Sequence, residues 1–245
     1  MPTIHLQVCA GFCNRIRALV SGICLAEDLN MPLVIHWFPN SPECVCRFMS
    51  VLDGESLPKT VKVIPEDTFQ TQEVKSREQW NVIYQNWDKK SDLYIKSYSI
   101  FYSNENYDKH LRNLRPSRQV KEFLDRRCSS VIWNEAIGIH IRRGDHTAAI
   151  QNSPTEHFFT IMRKDKETFY VVCTDDMTVR KQMEVEFGDR CVFPALVLTR
   201  KSEEGMIQGV ADFFALTKCS KIIGSSGSSF CEIAARYGNS ELTRA

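Results

Sequence analysis

The chain has almost no charge imbalance: 31 Lys and Arg against 30 Asp and Glu leave a net charge of +1 over 245 residues. Broad electrostatic binding of nucleic acid or of an anionic membrane needs a basic excess or a clustered patch, so neither is expected, and any phosphate recognition has to be local. No apolar run approaches the roughly 20 residues that span a bilayer. Residues 1–8 alternate like a strand and lack the basic start and apolar middle of a signal peptide. No membrane segment and a cytoplasmic location are therefore expected. No Cys-x-x-Cys pairs with a second one, and the six histidines are scattered, so no metal site is expected either. Ten cysteines are many, yet Cys24, Cys173, Cys191, Cys219 and Cys231 lie in apolar segments, where a reduced thiol behaves as a small hydrophobe. A chain of this size does not need disulfide stapling. A Walker loop is absent because no Gly-Lys-Ser/Thr follows the glycine-serine stretch. A nucleophile elbow is absent because Gly224-Ser225-Ser226-Gly227-Ser228 lacks the closing glycine.

What the sequence does contain is concentrated in two stretches. Gly138-Ile139-His140-Ile141-Arg142-Arg143-Gly144-Asp145 is an apolar strand that ends in two guanidiniums, a glycine and a carboxylate. A strand buried on both faces is apolar throughout, so charge massed at its carboxyl end points to the ligand crevice of an open α/β sheet. The planar guanidinium fork matches phosphate oxygens, and His140 and Asp145 add groups able to bond a base or a sugar. A surface Arg–Asp pair after an ordinary core strand is the competing account. In the second stretch, Lys221-Ile222-Ile223 reads as a buried strand, residues 224–229 as a glycine-serine loop, and residues 230–237 as a helix. Unpaired N–H groups at a helix start, with hydroxyls beside them and the positive end of the dipole, form an anion site. One serine would satisfy a plain cap; four exceed that need.

Around these stretches the pattern is α/β. A strand over 3–8, a tight loop over 10–14, a helix over 15–29 and a strand from Pro32 to His36 make one parallel crossover unit. Residues 41–107 carry a weaker pattern without a readable strand order, and the polar stretch 103–118 reads as a linker into a helix over 117–128. Strands at 137–142, 169–173, 191–198 and 221–223 then alternate with helices at 155–164, 177–187, 203–217 and 229–237, which defines a doubly wound domain. Two lobes are expected, 1–115 and 116–245. One of Asp175 and Asp176 is expected to cap the helix near Met177, with a carboxylate pair as the alternative. Asp212 sits within an apolar helix and needs a partner: the N–H edge of a guanine, or a nearby basic residue.

With these pieces in order, the chain resembles the fucosyltransferase superfamily of nodulation fucosyltransferases, core α1,6-fucosyltransferases and protein O-fucosyltransferases. The residues that carry the resemblance are Gly11-Phe12-Cys13-Asn14-Arg15-Ile16-Arg17, His140 to Asp145, Cys173-Thr174-Asp175-Asp176, Asp212, and Gly224 to Phe230. The resemblance implies two Rossmann-like lobes of the GT-B type with a ligand cleft between them, the N-terminal lobe reduced and on the acceptor side, the C-terminal lobe binding a GDP-sugar. It implies an inverting, metal-independent transfer of fucose from GDP-fucose to a glycan hydroxyl, with GDP-fucose as donor substrate and no further cofactor. It assigns His140 and Asp212 to the guanine nucleoside, Arg142 to the β-phosphate, and Ser226, Gly227, Ser228, Ser229 and Phe230 to the diphosphate region. Asp175 or Asp176 shapes the donor pocket, Arg143, Gly11, Asn14 and Arg15 are further donor-binding candidates, and Asn14 and Arg17 of the first loop face the sugar or acceptor. Arg142, Asp145 and His146 are the catalytic candidates, with Glu156 a further candidate base. Residues 146–150 lack the carboxylate that some members place there as base. A transferase using another GDP-sugar and a non-catalytic GDP-sugar or glycan-binding protein are the alternatives.

Overall fold

The computed structural model describes residues 1–65 and 71–245, which divide into two compact units, Met1–Ser117 and Arg118–Ala245. In the first unit the chain runs β1 (Ile4–Val8), α1 (Phe12–Leu29), β2 (Leu33–Trp37), a short α2 (Phe48–Val51), β3 (Val61–Ile64), β4 (Gln72–Glu73), α3 (Arg77–Asn86), β5 (Leu93–Ser97) and α4 (Tyr107–Asn113). Its five-stranded sheet is parallel in the order β3-β2-β1-β5-β4. Ile4, Leu6, Leu33, Ile35 and Ile95 are fully buried, as strands covered on both faces require. α1 ends at Asn30, whose φ of 50° is the left-handed turn that asparagine tolerates.

The second unit runs α5 (Arg118–Arg127), β6 (Ala136–Ile141), α6 (Thr147–Asn152), α7 (Thr155–Lys164), β7 (Phe169–Thr174), α8 (Met177–Phe187), β8 (Cys191–Val192), α9 (Glu203–Leu216), β9 (Lys221–Gly224), α10 (Ser229–Gly238) and β10 (Glu241–Arg244). This sheet too is parallel, in the order β10-β9-β6-β7-β8. The period-two alternation of β6 divides its side chains between two layers. Ile139 and Ile141 join Phe158, Met162, Val172, Val179 and Met183 on one face. Gly138 and His140 take the other, where a Cβ on Gly138 would lie 2.8 Å from Leu216 of α9.

The α/β class and its two Rossmann-like lobes are therefore present. Two local expectations change. The polar stretch 103–118 is not a linker: it holds α4, because Tyr107, Leu111 and Leu114 bury one side of an otherwise charged segment. The strand expected over 191–198 is only two residues long, and the chain beyond it takes another form described below. Among the described residues no helix is long and apolar enough to cross a membrane. No two cysteines among the described residues are joined. Burial pushes the thiol of Cys24 up to about 11, and those of Cys128, Cys191 and Cys219 up to about 12.

Two glycines separate packing from propensity. A Cβ at Gly224 would lie 2.5 Å from the Cys231 sulfur, so α10 approaches β9 only because that position is bare, whereas at Gly209 in mid-α9 no atom stands within 4 Å. Gly224→Ala is expected to destabilise by roughly 1–3 kcal/mol through overpacking, and Gly209→Ala to stabilise by about 0.5–1 kcal/mol. Denaturant melts of the two variants check both signs.

Candidate functional site

From β6 the connections of the second unit run toward β7 and β8, while β9 and β10 lie on the other side, so the gap between the carboxyl ends of β6 and β9 is the topological switch point where doubly wound sheets bind ligands. The two strand ends are joined by Ser225. Its N–H donates to His140 O at 3.0 Å, and its fully buried hydroxyl accepts the Arg142 N–H at 3.0 Å.

Arg142 leaves β6 at this point, and its guanidinium is held between two carboxylates, Asp175 at the end of β7 and Asp145 in its own loop. Asp175 also accepts the Arg143 N–H at 2.7 Å, so a single carboxylate fixes both the backbone and the fork. Gly144 is required between them: its φ is +34°, and a Cβ there would lie 2.8 Å from Asp175 Oδ2. Asp145 bridges outward to Arg200 at 3.0 Å, which brings a second guanidinium to the mouth of the site. Burial works to raise the Asp145 carboxyl, but the Arg200 hydrogen bond and the charges of Arg142 and Arg200 outweigh it and hold the group below the ordinary range.

Arg143 takes the opposite course. It is buried, and its guanidinium donates to Ser153 O, Arg142 O and the Thr155 hydroxyl at 2.8–3.0 Å. That makes it a brace of the loop, and of the two adjacent guanidiniums it is Arg142 that lies at the strand end beside Asp175 and Asp145. Ser153 ties in the other wall, since its hydroxyl accepts the Ser226 N–H at 2.9 Å.

Across the gap, Gly227 turns the chain with φ +68°, and α10 starts at Ser228, which makes no side-chain capping bond. Ser229 and Phe230 form the first turn. An N-terminus left without a side-chain cap keeps N–H donors and the positive end of the dipole for an anion. The Phe230 ring stacks on His140 at 4.8 Å and 19°. His140 is buried, and burial together with the charges of Arg142, Arg244 and Arg143 pushes its pKa down to about 3, so the ring is neutral at physiological pH. Its Nδ1 has no hydrogen-bond partner. An orphaned buried nitrogen is costly, and a ligand that bonds it would recover that cost. On the same sheet face Cys173 donates to Asp212 O, and the Asp212 carboxylate accepts the Ala195 N–H at 2.9 Å. Burial dominates over this bond and over the Arg180 charge and pushes Asp212 up to about 8. No basic side chain among the described residues pairs with it directly.

The remaining candidates lie elsewhere or are already engaged. Asp176 caps α8, accepting the N–H groups of Thr178 and Val179 at 2.7 and 3.0 Å, so Asp175 is the member of that pair that faces the site. His146 caps α6: its Nδ1 accepts the Ala149 N–H at 3.0 Å, which leaves the ring proton on Nε2 and makes the exposed edge a donor rather than a base. Glu156 is paired with Arg163 at 2.5 Å. In the first unit Gly11 stands at the start of α1 and Asn14 in its first turn, partly exposed. Arg15 is fully buried beneath that loop, donating to Ala10 O and Phe38 O at 3.0 and 2.9 Å and lying 4.8 Å over the Trp37 ring. These contacts hold the loop from beneath.

Three further residues, Ser225, Ser153 and Arg200, join the site without a mark in the sequence to single them out. Ser225 lies inside the serine loop, but only its burial distinguishes it from its neighbours. The assembled geometry offers a fork-shaped cation and an open helix start for a polyanion, beside a neutral imidazole and a buried carboxyl suited to a planar heterocycle with N–H donors.

No protein-family model matches the chain, and no curated protein matches it in sequence. Solved structures do match. The fucosyltransferase NodZ of Bradyrhizobium is one, and as the α1,6-fucosyltransferase soaked with GDP-fucose it gives a TM-score of 0.71 at 16% identity, over 97% of this chain and 93% of its own. A GDP complex of Arabidopsis thaliana FUT1 gives 0.66 at 14% identity, over 100% of this chain and 70% of its own. POFUT1 in complex with GDP gives 0.62 at 12% identity, over 99% and 98%. Likeness at these identities establishes architecture, and the chain has the fold of these fucosyltransferases.

Proposed function

We propose that this protein is a glycosyltransferase that moves fucose from GDP-fucose to a glycan hydroxyl, with inversion and without a metal. The observation that carries the reading is the meeting, at one switch point, of the Arg142 fork, the open start of α10 and the orphaned nitrogen of His140. The fold likeness to fucosyltransferases solved with GDP or GDP-fucose supports it. When the glycosyl bond breaks, negative charge grows on the departing diphosphate while the sugar becomes oxocarbenium-like. A fixed guanidinium and helix N–H groups bind that state more tightly than the ground state, which is where rate is gained. A single displacement from the face opposite the departing diphosphate inverts the anomeric carbon, and Asp145 and Asp175, both engaged with Arg142, are poorly placed to act as covalent nucleophiles. The many buried thiols fit a reducing, cytoplasmic setting.

A second reading has one observation in its favour. Asp145, His146 and Glu156 are all committed to protein partners, so none is poised as a strong base. A GDP-sugar-binding protein without turnover would need none. Release of GDP from GDP-fucose and other GDP-sugars, with and without glycan acceptors, separates the two, and the ranking of sugars tests fucose itself.

GDP and GDP-fucose are expected to raise the melting temperature well above UDP or ADP, because ionised Asp212 pairs with the guanine N–H edge that uracil and adenine do not present. Equal shifts for all three diphosphates would remove guanine from the account.

The same group gives the pH dependence. Asp212 sits near 8 in the unliganded protein, and guanine N–H donors favour its ionised form, so its value falls on binding and GDP affinity should rise from pH 6 to pH 8. His140, near 3, contributes nothing in that window. Titration calorimetry at pH 6, 7 and 8 reads the slope; a flat or falling affinity contradicts the assignment.

Arg142→Lys is expected to cost nearly as much turnover as Arg142→Ala, about 10²–10³, since a point charge cannot replace the fork. Activity should survive EDTA. A lysine variant with near-normal turnover, or full loss of activity in EDTA, would redirect the phosphate role to Arg200 or to a cation.

A further inference from the structure

Beyond β8 the chain does not continue as a strand; residues 193–197 form a strap whose main-chain groups are taken by side chains. Arg127 of α5 donates to Phe193 O and Pro194 O, each at 3.1 Å, and Arg180 of α8 donates to Ala195 O. From the other side Asp212 accepts the Ala195 N–H, and Gln208 Oε1 accepts both the Leu196 and Val197 N–H groups, at 2.7 and 2.9 Å. Gln208 and Asp212 are four residues apart on α9 and so share one helix face. Three successive carbonyls and three successive amides are thus fixed by four side chains from three helices. Arg180 also lies 5.1 Å over the Phe193 ring, and Gln208 is steadied in turn by Glu204 at 3.2 Å.

Residues 193–195 are buried, so their main-chain groups cannot be left to water, and it is side chains rather than a neighbouring strand that satisfy them. This lock has a directional result. Phe193 and Ala195 are buried, while Leu196, the next residue after the amide bonded to Asp212, is 47% exposed on a backbone whose own amide is bonded to Gln208. We propose that the strap is a preorganised wall for the planar base of a nucleoside diphosphate, and that Gln208 is the positioning residue that sets base selectivity by holding Leu196 and the Asp212 carboxylate in register. Leu196 supplies an apolar surface for the face of the ring, and Asp212 reads its edge. Gln208 touches no ligand; it fixes the geometry from which the edge is read, and angstrom-scale looseness in such a support is costly to recognition. The inference rests on the nucleotide reading above.

The test compares three probes by calorimetry: GDP, ADP and inorganic pyrophosphate. In the wild type GDP should bind more tightly than ADP; equal binding there defeats the nucleotide reading itself, before Gln208 is touched. Gln208→Leu removes the acceptor for two amides. It should weaken GDP about tenfold or more, narrow the GDP-to-ADP ratio, and leave pyrophosphate unchanged. The exchanged pair Glu204→Gln with Gln208→Glu retains an acceptor toward the strap and a donor behind it, and should restore the ratio. A Gln208→Leu protein with wild-type selectivity, or one that loses GDP and pyrophosphate in equal measure, overturns the proposal. Hydrogen exchange on the ligand-free wild type covers the case of a variant that does not fold: slow exchange of the Leu196 and Val197 amides is required, and fast exchange refutes a preformed wall.

Discussion

The second unit turns on two bonds made by one buried serine. Ser225 follows β9, yet its amide and hydroxyl complete the ladder of β6, so the strand that delivers Arg142 and the loop that opens α10 cannot shift independently. Without that junction a cation and a helix start would stand at the ends of neighbouring strands with no fixed separation. With it, the two positive elements form one rigid receptor. The adjacent arginines then divide the labour that strand alternation imposes: one guanidinium emerges toward the crevice, and the other turns inward to hold Ser153 and Thr155.

The electrostatics of this receptor are balanced rather than simply positive. Arg142 is flanked by Asp175 and Asp145, and Asp145 is shared with Arg200. A carboxylate beside a guanidinium lowers its attraction for an incoming anion, but it also removes the rotamer freedom that an isolated arginine would lose on binding. The neighbouring base site follows the opposite rule. There His140 is kept neutral and Asp212 is kept in a poorly solvated position, so recognition relies on hydrogen bonds whose partners arrive with the ligand.

Much of this arrangement is legible in the amino-acid sequence. Continuous apolar runs locate β6, β7 and β9, and the charges at their carboxyl ends locate the crevice, because burial and period leave local marks. α4 is hidden because only Tyr107, Leu111 and Leu114 give it an apolar side among charged neighbours. β10 is hidden because an edge strand with a largely exposed face, Glu241 to Arg244, has no burial pattern to read. The strap is hidden for a different reason. Arg127, Arg180 and Gln208 look like ordinary polar residues on helix surfaces, and their bonds reach backbone distant along the chain, where no spacing rule applies. The inward turn of Arg143 and Arg15 is of the same kind: an arginine in a motif does not announce whether its fork meets a ligand or a carbonyl.

The buried thiols have a consequence for the kinetics of the chain. A thiol held near 12 has almost no thiolate at neutral pH, and alkylating reagents attack the thiolate. Cys24 lies buried in the first unit and Cys128 and Cys219 in the second, so each half of the molecule carries its own silent nucleophiles. They become reactive only when that half opens. Labelling at these positions is therefore an intrinsic clock of local unfolding, and comparing the two sets tells which half of the chain breathes first.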